Sequence, residues 1–74
     1  MNADIALAVR AEALFVSDVQ PSDPVTPATV EAAVQQSFSQ YGPDGCAERV
    51  AQEFGEHPEI AAGRMAWALC TVQG

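Results

Sequence analysis

All five prolines of this 74-residue chain fall in three short breaks: residues 20–27 (QPSDPVTP), 41–45 (YGPDG) and 55–58 (GEHP). Proline removes a backbone donor, fixes φ and pushes the preceding residue away from helix. These breaks therefore mark the ends of elements. They leave four segments, and all four read as helix. The fold expected is all-α: one compact four-helix domain spanning 1–74, with helices at about 3–19, 28–41, 45–54 and 58–72. The last three are expected to form a three-helix, helix-turn-helix-like unit with the first packed across it. Residues 20–27 are the connecting loop.

Local signals set the helix ends. Thr26 is the expected N-cap of the second helix, with Pro27 at the first helical position, where a missing N–H costs nothing. Val30, Ala33, Val34, Phe38 and Tyr41 then fall on one stripe, opposite Glu31, Gln35, Gln36 and Ser39. Asp44 is the expected N-cap of the third helix, which carries Arg49 and Glu53 as an i,i+4 pair. Gly55 sits where a left-handed C-terminal cap is expected. Pro58 and Glu59 open the fourth helix, the carboxylate favoured there by the helix dipole.

The first and last helices are apolar nearly all round. On the first, Leu7, Ala11, Leu14 and Phe15 mark one face and Ile5, Val9 and Val16 another. On the last, Ile60, Gly63, Trp67 and Cys70 form one line; Ala61, Met65, Leu69 and Val72 form a second. Alanine supplies 14 of the 36 apolar residues, so few large side chains are available for a core. A chain this short buries only about 60% of the surface its unfolded form exposes. The expectation is therefore that the first and last helices carry more apolar surface than one copy can hide. Ile5, Val9, Val16, Trp67 and Leu69 are the candidate interaction residues, with Trp67 open to a core role as well. A protein partner or a homodimer is the expected assembly, and the expected function is protein–protein interaction.

Charge narrows the alternatives. Ten acidic residues against three Arg and no Lys give a net charge of −7, which argues against a nucleic-acid partner, since binding phosphate needs a basic face. The N-terminus, Met1-Asn2-Ala3-Asp4, is acidic where a secretory signal is basic, and no apolar run reaches the ~18 residues of a membrane span. A cytoplasmic location is expected, with Cys46 and Cys70 reduced. His57 is the only histidine and stands before Pro58 in a turn, a helix-start position. Asp18, Ser22 and Asp23 crowd the Pro-rich loop without the glycine-hinged spacing of a calcium loop, which points to capping and Asx-turns. Ser17, Ser22, Ser37 and Ser39 lack a nucleophile elbow. No enzyme, catalytic residue, cofactor, metal site or small-molecule substrate is evident.

Residues 50–65 resemble a helix-turn-helix: Ala51, Phe54, Gly55, Pro58, Ala61 and Met65 stand at its small, apolar, turn and helix-start positions. The resemblance implies close helix approach at Ala51, positive φ at Gly55 and core closure by Met65. It makes DNA binding or a transcription-associated role the alternative reading. The second helix departs from that pattern, presenting Glu59, Ala62 and Gly63, with Arg64 the lone candidate for DNA contact. The wider layout, with Leu14-Phe15, Thr26-Pro27, Gly45-Cys46 and residues 49–59, also resembles small acidic helical proteins of actinobacteria. That likeness implies a class and no activity.

Overall fold

The computed structural model describes residues 3–74; Met1 and Asn2 of the acidic N-terminus lie outside the described residues. It contains three helices, α1 (Ala3–Phe15), α2 (Pro27–Glu56) and α3 (Pro58–Gln73). The expected four-helix domain is thus corrected to three. The break expected at 41–45 is a kink: Gly42 alone leaves helical geometry, at φ 70° and ψ 166°, and Pro43 follows within the same helical element. Placed directly after the non-helical residue, Pro43 sits where its missing N–H is least costly, as at a helix start. Asp44 accordingly lies inside α2 and caps nothing.

The start of α2 is built as its sequence indicates. The Thr29 amide donates to Thr26 Oγ1 at 3.2 Å and the Thr26 amide donates to Thr29 Oγ1 at 2.8 Å. This reciprocal pair is a capping box in which Thr stands for the usual Glu or Gln. Pro27 takes the first turn. In the connecting loop the Gln20 amide donates to Asp23 Oδ2, and the Asp23 amide donates to the Gln20 carbonyl, both at 2.9 Å. Asp23 thus closes a reciprocal turn with Gln20; its side chain accepts from three residues back, where the expected Asx-turn would accept from two residues on.

The helix expected to run to residue 19 stops at Phe15. The Ser17 hydroxyl donates to the Leu14 carbonyl at 2.6 Å and Ser17 N–H donates to the same oxygen at 3.1 Å. Serine competes with the helical ladder for local carbonyls, and here it turns the chain out of the helix.

The first helix is central, not an accessory laid across a three-helix unit. It packs against both α2 and α3 more extensively than these pack on each other. Ala11, Ala13, Leu14 and Phe15 of α1 join Val30, Val34, Cys46 and Val50 of α2 and Ala61 and Ala68 of α3 in one buried cluster. Four of these ten residues are alanines, two each on α1 and α3, and their small side chains let the two backbones approach. On α2, Ala33, Phe38 and Tyr41 pack against this cluster, in line with the expected stripe. The radius of gyration, 11.4 Å, matches the ~11.3 Å of a compact chain of this length.

The α2–α3 junction differs from a helix-turn-helix. One residue, His57 (φ −139°, ψ 66°), separates the helices, where the motif uses a turn of three or four residues. Ala51 is exposed, and so is in no close helix approach; Met65 is half-buried. Gly55 lies within α2, and the glycines with positive φ are Gly42 and Gly74. His57 N–H donates to the Glu53 carbonyl at 2.7 Å and its own carbonyl accepts from Ala61 at 2.8 Å. Its backbone thus ends one helix and begins the next, so the left-handed glycine is not required.

The two glycines should respond oppositely to substitution. Gly42 occupies a region that is nearly glycine-only, so Gly42→Ala should destabilise the fold by about 1–3 kcal/mol. A Cβ at Gly55 would meet nothing within 4 Å, so Gly55→Ala should stabilise it by about 0.5–1 kcal/mol. Urea denaturation followed by circular dichroism measures both; matching signs would overturn the assignment of the kink to Gly42.

Candidate functional site

Helix α1 ends in the interior, where its last four carbonyls cannot all turn to water. Each has a donor. Val16 N–H serves Glu12 at 3.2 Å, the Ser37 hydroxyl serves Ala13 at 2.7 Å, Ser17 serves Leu14, and Arg64 Nε serves Phe15 at 2.7 Å. Arg64 Nη2 extends the cap, donating to the carbonyls of Ser17 and Val19 at 3.0 Å each. A cation at a helix C-terminus also meets the negative end of the macrodipole. The guanidinium carbon lies 4.9 Å from the Trp67 ring centroid and 5.7 Å from that of Phe15. Burial pushes the Arg64 pKa down, and the converging carbonyls and ring faces are what make the buried charge tolerable. Arg64 is the residue on which the DNA-contact alternative turned. Meeting a phosphate with Nε or Nη2 would require giving up these bonds.

Beside this cap lies a groove of about 460 Å³, bounded by the end of α1, the distal part of α2 and the start of α3. Phe15, Arg49, Gln52, Glu53, Ile60 and Arg64 are among the residues that line it. The expected Arg49–Glu53 pair is absent: Arg49 stands 3.9 Å above the Tyr41 ring centroid, and the ion pair found among the described residues is Arg10–Glu31 at 2.7 Å. The Arg10 bond, with a further bond from Gln35, holds the Glu31 carboxyl below its ordinary range.

The five candidate interaction residues do not share one environment. Ile5 is 55% exposed. Val9 is half-buried, and Val16, Trp67 and Leu69 are half-buried against the core. The surplus on α1 is smaller than expected because this helix is covered on several sides by its own chain. Total exposed surface, 4698 Å², is only slightly above the ~4,400 Å² typical of a folded monomer of this mass.

Ile60, at 70% the most exposed large apolar residue on α3, was legible only as one member of a line. Of the two lines on α3, the one through Ala61 turns inward, and Ala68 beside it is fully buried. The outward side carries Ala62, Gly63, Ala66 and Cys70, all exposed, between the half-buried Trp67 and Leu69. No acidic residue follows Glu59, and the one basic residue there, Arg64, turns toward α1.

The two cysteines also part company: Cys46 is buried and Cys70 is exposed. Burial first, and the Glu12 charge second, raise the Cys46 pKa, with Arg49 acting weakly the other way. Among the described residues no group of three or more His, Cys, Asp or Glu is placed to hold a metal ion, and no helix is long and apolar enough to cross a membrane. No family model matches the chain, and no curated protein or solved structure matches it significantly. Its functional reading rests on its own geometry.

Two measurements check this description. Arg64→Met keeps much of the apolar stem and removes every donor, so it should destabilise the fold by about 2–4 kcal/mol in urea; Arg64→Lys, which lacks the fork, should fall between it and the native chain. A native-like Arg64→Met would remove the cap from the account. With a thiol reagent at neutral pH, Cys70 should react promptly and Cys46 only on unfolding, since its raised pKa keeps it protonated and burial shields it. Two equally fast thiols would contradict that placement.

Proposed function

We propose that this protein is a non-enzymatic interaction module that pairs with a second copy of itself through the uncharged surface of α3, assisted by α1. The observation that carries the reading is the outward side of α3, where Ala62, Gly63, Ala66 and Cys70 are exposed and, among the described residues, the only charge on the face is Glu59 at its N-terminal end. Small residues let two helices approach to the short end of the usual ~8–10 Å interaxial distance. Ile5 and the outer edges of Trp67 and Leu69 supply the larger apolar groups of the contact.

Charge supports the same surface. Two copies at −7 each repel, so association is least opposed where carboxylates are missing, and α3 beyond Glu59 has none. Pairing would also relieve the size problem of a chain with so few large core residues, because burial between copies adds to burial within each. Like charge outside the contact should make the pairing salt-dependent, tightening as ionic strength rises.

Light scattering on a sizing column should therefore give twice the 7.8 kDa chain mass at tens of micromolar, more completely at high salt. Ala66→Glu, which places a carboxylate on the exposed face, should return the protein to a monomer without loss of helicity. A native chain that stays monomeric across this range, at both salt levels, overturns the reading.

A further inference from the structure

The three arginines are not used alike. Arg10 is neutralised by Glu31 at 2.7 Å. Among the described residues neither Arg49 nor Arg64 has a carboxylate within ion-pair distance, and both line the same groove. In a chain with ten carboxylates, this concentrates the unneutralised positive charge at one place. Arg64 is held by its carbonyl bonds through Nε and Nη2, which do not involve Nη1. Arg49 is held over the Tyr41 ring. Both cations are thus pre-positioned, which lowers the ordering cost of binding.

The rest of the groove is amphiphilic. Phe15, only 4% exposed, shows the groove just an edge of its ring, Ile60, 70% exposed, forms an aliphatic lip, and Gln52 offers an amide. Its volume, about 460 Å³, lies within the ~300–1,000 Å³ range of small-molecule sites. One feature opposes an anion: Glu53 also lines the groove.

We propose that this groove binds a small amphiphilic carboxylate, its anionic end between Arg49 and Arg64 and its apolar end against Phe15 and Ile60. Its lip, Ile60, borders the outward side of α3, but Ala62, Gly63, Ala66 and Cys70 do not line the groove, so the anion site rests on different residues from self-association. The two arginines set the preference for an anion and Glu53 weakens it. The chain's overall negative charge further limits affinity for a free acid.

The test titrates 3-phenylpropionate, and separately its neutral amide, into the isotope-labelled full-length chain, followed by amide NMR shifts. The acid should saturate shifts around Arg49, Gln52 and Ile60 with a Kd on the order of 1 mM, typical for a fragment of this size. The amide should bind about 5-fold more weakly, the value of an exposed ion pair. Arg49→Gln should weaken the acid about 5-fold and leave the amide unchanged, while Glu53→Gln should tighten the acid. Equal binding of acid and amide, shifts confined to other surfaces, or an Arg49→Gln variant that binds the acid as the native chain does would overturn the proposal. A monomeric chain that shows the groove shifts would count against pairing alone.

Discussion

The carbonyl end of α1 governs the structure. A helix that stops inside a protein presents oxygens that have lost water and have no ladder to continue. Here the solution comes from all three helices. Ser17 serves the helix from its own exit, Ser37 from α2, and Arg64 from α3. The two longer-range donors are separated from their acceptors by 24 and 49 residues. They fix where α2 and α3 sit along α1, which apolar packing between alanine-rich surfaces does only loosely, because dispersion and burial are not directional.

That anchoring explains how so small a core suffices. The largest fully buried side chains are Leu14, Val34 and Cys46. Around them, Ala11, Ala13, Ala61 and Ala68 contribute close approach more than burial energy. Phe15 belongs to both the packing and the cap: its ring stacks on Phe54, with centroids 6.3 Å apart, and its carbonyl takes the shortest bond from Arg64, at 2.7 Å. The kink at Gly42 belongs to the same arrangement. Arg49 on the distal limb reaches the Tyr41 ring on the proximal one, and Cys46 Sγ lies 3.8 Å from the Ser37 carbonyl, so contacts cross the bend from both sides.

The functional reading follows from what this architecture leaves over. Because α1 is consumed as the central helix, the large apolar residues left exposed are Ile5, Val25, Phe54 and Ile60, beside the small residues on the outer side of α3. Because Arg64 turns inward, that outer side is uncharged beyond Glu59 in its first turn. A reading centred on a basic recognition helix has no comparable support, since the residue it needs is engaged in the fold. The proposed contact and the proposed groove thus use opposite leftovers of one design, an uncharged helix face and an unneutralised pair of arginines.

The sequence by itself determined the helical class, the Pro-rich connection, the Thr26 cap with Pro27, the core stripe of α2 and the start of α3 at Pro58. These depend on interactions spanning no more than about four residues, within reach of periodicity and capping rules. It left open which line of α3 would face inward, and it misplaced Gly55, the Arg49–Glu53 pair and the end of α1. Only the tertiary structure decided those points. A glycine needs positive φ only if no neighbouring backbone offers another exit, and an arginine is a ligand contact or a cap according to what stands opposite it. The groove was invisible for the same reason, since Arg49 and Arg64 line one groove only when the distal limb of α2 and the start of α3 meet the end of α1.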